Sequence, residues 1–249
     1  MGRFAATARF YQRYREPYPL EFFQAVAKRI SLTGQERLVD AACGPAPLAI
    51  GFAPFVRSAA GVDPEPRMIA AAAMAAAEAR VHIELIEGRM EEVGDRLGNV
   101  DVVTIGRALH WLPRQRTLAL FERIVAKNGW IIVGGSLPSR ASINRPAKVF
   151  YRIVRKWSPE LAAHRYLLSA ERWFAGSRFR KVGEVAIKVR RRITIADMIG
   201  RAFSLSTTSP AKLGRKRPQF EQALREGLKP FAADGLLFEE IRAGATIFQ

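Results

Sequence analysis

A chain of 249 residues, 49% hydrophobic and 25% charged, has enough apolar side chain for one large α/β domain and too ordinary a composition for extended disorder. The single cysteine, Cys43, excludes an internal disulfide framework, and three histidines are too few for a Cys/His metal cluster. The net charge of +17 is uneven: residues 1–144 carry 18 Lys+Arg against 14 Asp+Glu, and residues 145–249 carry 22 against 9. Such an excess suits nucleic acid, an anionic membrane surface, an acidic substrate or simply a solvated face. The densest basic runs, Lys188–Ile193 and Lys212–Pro218, contain no aromatic residue on which a base would stack, so charge alone does not make this a nucleic-acid protein. No apolar run approaches the roughly 18 residues of a membrane span, and a cytoplasmic location is expected.

In chain order, residues 1–15 are Arg-rich and acid-poor in the manner of a transit peptide, although a better account of them follows below. Residues 20–30 have helical apolar spacing behind Pro19. Leu38–Val39 forms a first strand, Pro47 to about Val56 a helix, and Gly61–Asp63 the end of a second strand. The alanine-rich run Pro66–Arg80 is helical, Val81–Ile86 alternates as a third strand, and Val100–Ile105 is a buried fourth. A helix over Thr117–Lys127 stops at Asn128–Gly129, and Trp130–Val133 begins a fifth strand. Strands and helices joined by short connections predict a parallel, doubly wound sheet over the first ~135 residues. Beyond Gly135 the alternation ends: Pro138–Asn144 reads as loop and Ala147–Trp157 as a basic amphipathic helix. Glu184–Ile193 and Leu237–Phe248 read as strands, with Thr194–Ala202 and Gln219–Leu228 helical between them.

The stretch Arg37–Asp63 carries the chemistry. A strand closes on Asp40, a small-residue turn follows, and a second strand ends on Asp63. In an open α/β sheet such a turn lets backbone approach a ligand, and an acid about 20 residues on accepts hydrogen bonds from a ribose. The pattern is that of a nucleoside-binding half-fold.

Four segments in order, YQRYREPYP near the N-terminus, VDAACGPAP with GVDPEPRM, EGRMEEV and TIGRALHWL, make the chain resemble class I S-adenosylmethionine-dependent methyltransferases. The resemblance is closest to the bacterial branch similar to trans-aconitate methyltransferase. It implies a Rossmann-like, doubly wound, seven-stranded, mostly parallel sheet with a C-terminal antiparallel hairpin and a helical insertion. The chain would be one domain: residues 1–135 the cofactor-binding core with N-terminal cover helices, residues 140–182 and 194–232 helical cap segments binding the acceptor. The cofactor implied is S-adenosyl-L-methionine. Asp40, Ala42 and Gly44 would line its methionine end, and Asp63 with Pro64 would hold its ribose. Met68 would lie near the adenine or ribose, with a plain core methionine as the other reading. Gly88, Arg89 and Met90 would meet the adenine, Gly106 would sit beside the sulfonium, and Tyr11 and Arg15 would cover the pocket. That last role accounts for the basic, aromatic N-terminus better than targeting does. His110 would act as base or orienting residue, while Trp111, Tyr151 and His164 would face the acceptor. His82, at the start of the third strand, reads as structural.

One departure stands out. The family turn reads GxGxG, whereas here Ala42 and Ala46 flank Gly44, and a methyl strains any position that needs φ > 0. The expected activity is methyl transfer to a small molecule, with an anionic acceptor suggested by Arg145, Lys148, Arg152 and Arg155. Two other readings stay open: a methyltransferase of RNA, DNA or another macromolecule, and a cofactor-binding protein without turnover. The oligomeric state is open.

Overall fold

The computed structural model describes residues 8–140, 142–158 and 169–249. The elements are α1 (Ala8–Tyr14), α2 (Leu20–Arg29), β1 (Arg37–Ala41), α3 (Pro47–Phe52), β2 (Ser58–Asp63), α4 (Pro66–Ala79), β3 (Glu84–Glu87) and a short α5 (Met90–Val93). They continue with β4 (Val100–Gly106), α6 (Arg114–Ile124), β5 (Val125–Pro138), α7 (Arg145–Trp157) and α8 (Ala170–Phe174). The chain closes with β6 (Lys181–Thr194), α9 (Ile195–Phe203), α10 (Pro210–Leu213), α11 (Arg217–Leu228) and β7 (Leu236–Phe248).

The strands form one sheet in the order β3-β2-β1-β4-β5-β7-β6. The pairs β1–β2, β1–β4, β2–β3 and β4–β5 are parallel. At the far edge the pairing is antiparallel: the Arg180 N–H donates to the Gln249 carbonyl (2.7 Å) and the Gln249 N–H returns to Arg180 (3.0 Å). The expected antiparallel pair is therefore present, but three helices rather than a tight turn connect β6 to β7. The chain runs outward from β1 through β2 to β3, then returns to the other side of β1 as β4. That reversal creates a switch point between the carboxyl ends of β1 and β4, where ligands of open sheets bind.

The described residues fall into two compact units. The core unit comprises residues 17–135, 169–187 and 243–249; the second comprises 8–16, 136–140, 142–158 and 188–242. In the core unit, successive side chains of each strand enter opposite layers, as strand geometry requires. Val39, Ala41, Val103 and Ile105 pack with Phe121 and Ile124 of α6, whereas Leu38 and Val102 pack with Phe22 of α2, Leu48 of α3 and Ala72 of α4. The second unit has its own apolar center, built from Phe150, Val154, Met198, Phe203, Phe220 and Leu224. Among the described residues no helix is long and apolar enough to cross a membrane.

Three boundaries differ from the sequence reading. β3 starts at Glu84 rather than Val81, because Arg80 closes α4 in the left-handed region and the Val81 N–H is spent on the Ala76 carbonyl (3.0 Å). α6 begins at Arg114 and ends at Ile124, ahead of the predicted span. The Asn128–Gly129 pair lies inside an irregularity of β5, where the register slips between Val125 and Trp130. α8 and α10, too short to show a period, were not legible in the sequence.

Candidate functional site

The site of the core unit is assembled around the turn after β1. Ala42, Gly44 and Ala46 all take left-handed backbone, with φ of 52°, 58° and 54°. This alternation brings the chain back so that Ala46 precedes the first turn of α3, where Pro47 supplies a preset φ. The two alanines thus occupy the conformation that the glycines of a GxGxG turn would take, at a cost of roughly 1–2 kcal/mol each. Arg107, directly after β4, is a third non-glycine residue at positive φ (58°). Such outliers persist only where the surroundings over-determine them, and these three lie at the carboxyl ends of the two strands flanking the switch point.

Two carboxylates pin this edge. Asp40 is 1% exposed, and its Oδ1 accepts from the Thr104 hydroxyl across the β1–β4 pair (2.8 Å). Its Oδ2 accepts from the N–H of Ala49 (3.4 Å) in the first turn of α3, standing in for the capping side chain that Ala46 lacks. Burial, opposed by those hydrogen bonds and assisted by the charge of Asp63, pushes the Asp40 carboxyl up to about 7. Asp63 is 8% exposed; Oδ2 accepts from the Gly44 N–H (2.8 Å) and Oδ1 from the Glu65 N–H (2.9 Å). Burial raises its pKa despite these two donors, with the Glu65 carboxylate adding to the rise. A carboxylate has about four acceptor positions, so one donor on each oxygen leaves each able to accept another. Two adjacent oxygens at the tip of a strand match the spacing of a vicinal diol.

The turn itself is open. A methyl built on Gly44 would have Met68 Sδ as its nearest neighbor, at 4.0 Å, so backbone there can be approached closely. Met68 is buried below the turn. Cys43 is buried too, and burial together with Asp40 and Asp63 pushes its thiol well above the usual range, leaving it inert. Gly88 holds the β3 end against β2 through its N–H to the Asp63 carbonyl (3.1 Å), and a Cβ there would stand 2.6 Å from Val93. Gly106 cannot carry a side chain either: its Cβ would meet Leu48 at 2.9 Å and the Tyr18 hydroxyl at 3.4 Å.

The other expected residues spread out. Pro64 is exposed next to Asp63. Arg89 is exposed and turned to its own helix, with Nη1 3.9 Å from Glu91 and Nε 4.0 Å from Glu92, while Met90 is buried in the core layer beside α6. His110 and Trp111 follow β4 in a 3-10 turn with ring centers 4.7 Å apart, and both are exposed. His82 is exposed ahead of β3. Tyr11, Arg15 and Tyr151 belong to the second unit. There the Arg15 guanidinium lies 4.9 Å over the Tyr11 ring and donates to the Ser204 carbonyl (3.3 Å). Tyr151 packs edge-on against Phe150, and burial together with the nearby Glu16 raises its pKa. His164 lies outside the described residues.

Thr104 and Tyr18 escaped the sequence reading. Tyr18 accepts from Arg107 Nε (3.3 Å) with the guanidinium 4.9 Å over its ring, fixing the chain just past Gly106. The only sequence signal for Tyr18 was its place in the REPYP run.

Residues 38–129, which hold the turn after β1 with Asp40, Asp63, Gly88, Thr104 and Gly106, match the Methyltransf_25 family model, described as a methyltransferase domain. Over these residues the core unit is similar to a methyltransferase domain. A Dictyostelium discoideum protein assigned as a methyltransferase is 21% identical over 247 residues, spanning 95% of this chain and 90% of that protein. Among solved structures, one of an Anaeromyxobacter dehalogenans protein assigned as a type II methyltransferase aligns with TM-score 0.65 at 17% identity, covering 94% of this chain and 97% of that one. A SAM-dependent methyltransferase from Geobacter sulfurreducens, solved with S-adenosyl-L-homocysteine, aligns with TM-score 0.55 at 12% identity over 100% and 98%. The turn after β1 and the acids at the ends of β1 and β2 stand in the order read from residues 37–63.

The strained turn makes a stability prediction. Ala42→Gly removes the left-handed penalty, offset in part by the greater freedom of glycine in the unfolded chain, and should stabilize the protein by about 1 kcal/mol. Thermal unfolding should shift upward by about 2–4 °C. An unchanged or lower midpoint would show that Ala42 is not strained.

Asp40 makes a second prediction. In the unfolded chain its carboxyl ionizes near about 3.9, and in the folded protein near about 7. Between those values the folded state holds a proton that the unfolded state has lost, so stability falls as pH rises across that window and levels off above it. Urea unfolding between pH 4 and 8 should show a shallower decline for Asp40→Asn than for the parent. Parallel curves would mean that Asp40 is already ionized in the folded protein at low pH.

Proposed function

We propose that this methyltransferase acts on a small molecule, preferentially an anionic one. The methyl donor is S-adenosylmethionine, whose sulfonium supplies an activated methyl carbon; the acceptor attacks that carbon, the C–S bond breaks, and S-adenosylhomocysteine leaves. The chain's own task is to bind, align and exclude water, which can contribute about 7–11 kcal/mol of barrier lowering. Asp63 would hold the two ribose hydroxyls on its remaining acceptor positions, and this availability is the observation that carries the reading. The turn from Ala42 to Ala46 presents backbone to the methionine end, with Asp40 anchoring it from below. Gly106 lets Leu48 and Tyr18 pack directly against the end of β4, and Tyr18 holds the adjoining backbone through Arg107. His110 orients the acceptor or removes a proton from a phenol or amine, whereas a carboxylate acceptor needs no base.

The likeness of the four segments supports membership of the trans-aconitate methyltransferase-like branch of class I. Residues 140–182 and 194–232 form the acceptor-binding cap of the same functional domain. Tyr11 and Arg15 belong to the same reading of the cofactor site, the arginine suited to the cofactor carboxylate. The anionic preference rests on Arg145, Lys148, Arg152 and Arg155, four of the five basic residues of α7. The argument for a protein without turnover rested on the missing glycines, and it weakens because Ala42 and Ala46 adopt the glycine-like backbone anyway.

The test has two stages. Calorimetry with S-adenosylhomocysteine should show one site per chain. Labeled methyl transfer in a cell extract should then place the label in the low-molecular-weight fraction. Absence of affinity overturns the donor site, and label in RNA, DNA or protein overturns the small-molecule acceptor.

A further inference from the structure

The basic run of β6 meets an aromatic side chain that is distant in sequence. Strand alternation gives the part of β6 in the second unit two faces. Arg191 turns inward, its Nε donating to the buried Glu239 (2.6 Å), and Ile193 joins the apolar center. Lys188, Arg190 and Arg192 take the other face and are exposed. The neighboring strand β7 divides in the same manner: Leu237 and Glu239 are buried, whereas Phe238 and Arg242 are exposed. The Arg192 guanidinium lies 5.3 Å over the Phe238 ring, which is 41% exposed.

One acid shares this outer face. Arg190 Nε stands 3.3 Å from Glu240 Oε2, and the Ser139 hydroxyl donates to Oε1 (2.8 Å). That hydroxyl, joined by Arg190 and Lys188 against the opposing effect of burial, holds the Glu240 carboxyl below its usual range. Glu240 offsets one of the cations Lys188, Arg190, Arg192 and Arg242, so the face keeps an excess of positive charge. Along β6 the cations recur every second residue, at roughly 6.6–6.8 Å, a row suited to an extended polyanion more than to one small anion. Such a row repels a second copy of itself. A bilayer would reward a broad apolar surface, and Phe238 is the one large apolar side chain exposed within residues 188–194 and 236–242. A ring beside a row of cations is instead the combination that holds a single strand, with cations following the phosphates and bases stacking on the ring or on a guanidinium plane.

We propose that this outer face of β6 and β7 docks single-stranded nucleic acid, its phosphates along Lys188, Arg190 and Arg192 and a base on Phe238. The contact tolerates any sequence, since every base has a face to stack. It is separate from methyl transfer, because these residues lie outside both segments assigned to the acceptor.

Fluorescence anisotropy of the full chain with a labeled RNA of mixed sequence, about 12 nucleotides long, tests the proposal. The affinity should fall with salt at a log–log slope of about −2 to −3, as three or four engaged phosphates require. Lys188→Gln should weaken binding several-fold and flatten that slope by about 0.7. Phe238→Leu keeps an apolar side chain but removes the ring, and should weaken binding about fivefold or more at an unchanged slope. Both variants should keep the circular-dichroism spectrum and the S-adenosylhomocysteine affinity of the parent, so failure of this surface and failure of the cofactor site are told apart. The proposal is overturned if Phe238→Leu binds RNA as the parent does, if a polyglutamate peptide displaces the RNA at equal charge concentration, or if phosphatidylserine vesicles bind and the RNA does not.

Discussion

Asp63→Ala should weaken S-adenosylhomocysteine binding by about a hundredfold or more, because two hydrogen bonds to a charged group contribute about 1.5–3 kcal/mol each. Each Asp63 oxygen already takes one backbone N–H, from Gly44 and from Glu65, so the carboxylate is held in place before the ligand arrives. That preorganization means little ordering entropy is spent on binding. The substitution also strips Gly44 of its acceptor, so a loss of turn structure could mimic a loss of ligand contact. A ligand lacking one ribose hydroxyl separates the two. It should bind the parent several-fold more weakly than S-adenosylhomocysteine, whereas Asp63→Ala should bind both alike. If Asp63→Ala still distinguishes the two ligands, Asp63 does not hold the sugar.

Arg201→Met should lower stability by about 3–5 kcal/mol, the cost of removing one member of a buried ionic group. Arg201 is 2% exposed and donates from both terminal nitrogens to Glu239, at 2.8 Å each, while its Nε stands 3.4 Å from Glu16. Glu239 also receives Arg191 Nε at 2.6 Å. Burial alone would raise the Glu239 pKa, but the hydrogen bonds and charges of Arg201 and Arg191 hold it below the usual carboxylate range. Replacing Arg201 leaves Glu239 and Glu16 in an apolar setting with less compensation. The thermal midpoint should drop by about 6–20 °C at neutral pH. Because the Glu239 pKa is depressed on folding, its contribution is fully present above about pH 4.3 and fades as pH falls through the folded value. The gap between Arg201→Met and the parent should therefore narrow in acid. A double change, Arg201→Met with Glu239→Gln, should recover part of the loss, since it removes the stranded charge. A midpoint within 2 °C of the parent for Arg201→Met would show that this cluster does not hold the second unit together.

The two predictions sit at opposite ends of what could be read from residues alone. Asp63 was legible because its signal is local and periodic: an apolar strand, a fixed interval and an acid at the strand end. The same holds for the amphipathic spacing of α2 and α7. Arg201 carried no such signal. It falls in an apolar helical run, and the charges that make it buried and essential come from Glu16 and Glu239, far away in sequence.

The chain by itself thus determined that a doubly wound sheet would form and that Asp40, Gly44 and Asp63 would stand at its carboxyl edge, since alternation, small residues and strand-end acids act over a few neighboring positions. Tertiary structure alone decided that Ala42 and Ala46 would be forced into left-handed backbone, that Thr104 would cap Asp40 from 64 residues away, and that β7 would enter between β5 and β6. It alone set Phe238 beside Arg192 on the basic face of β6. Each of those outcomes depends on contacts between distant segments, whose closure entropy is repaid only once the sheet and its helices have packed.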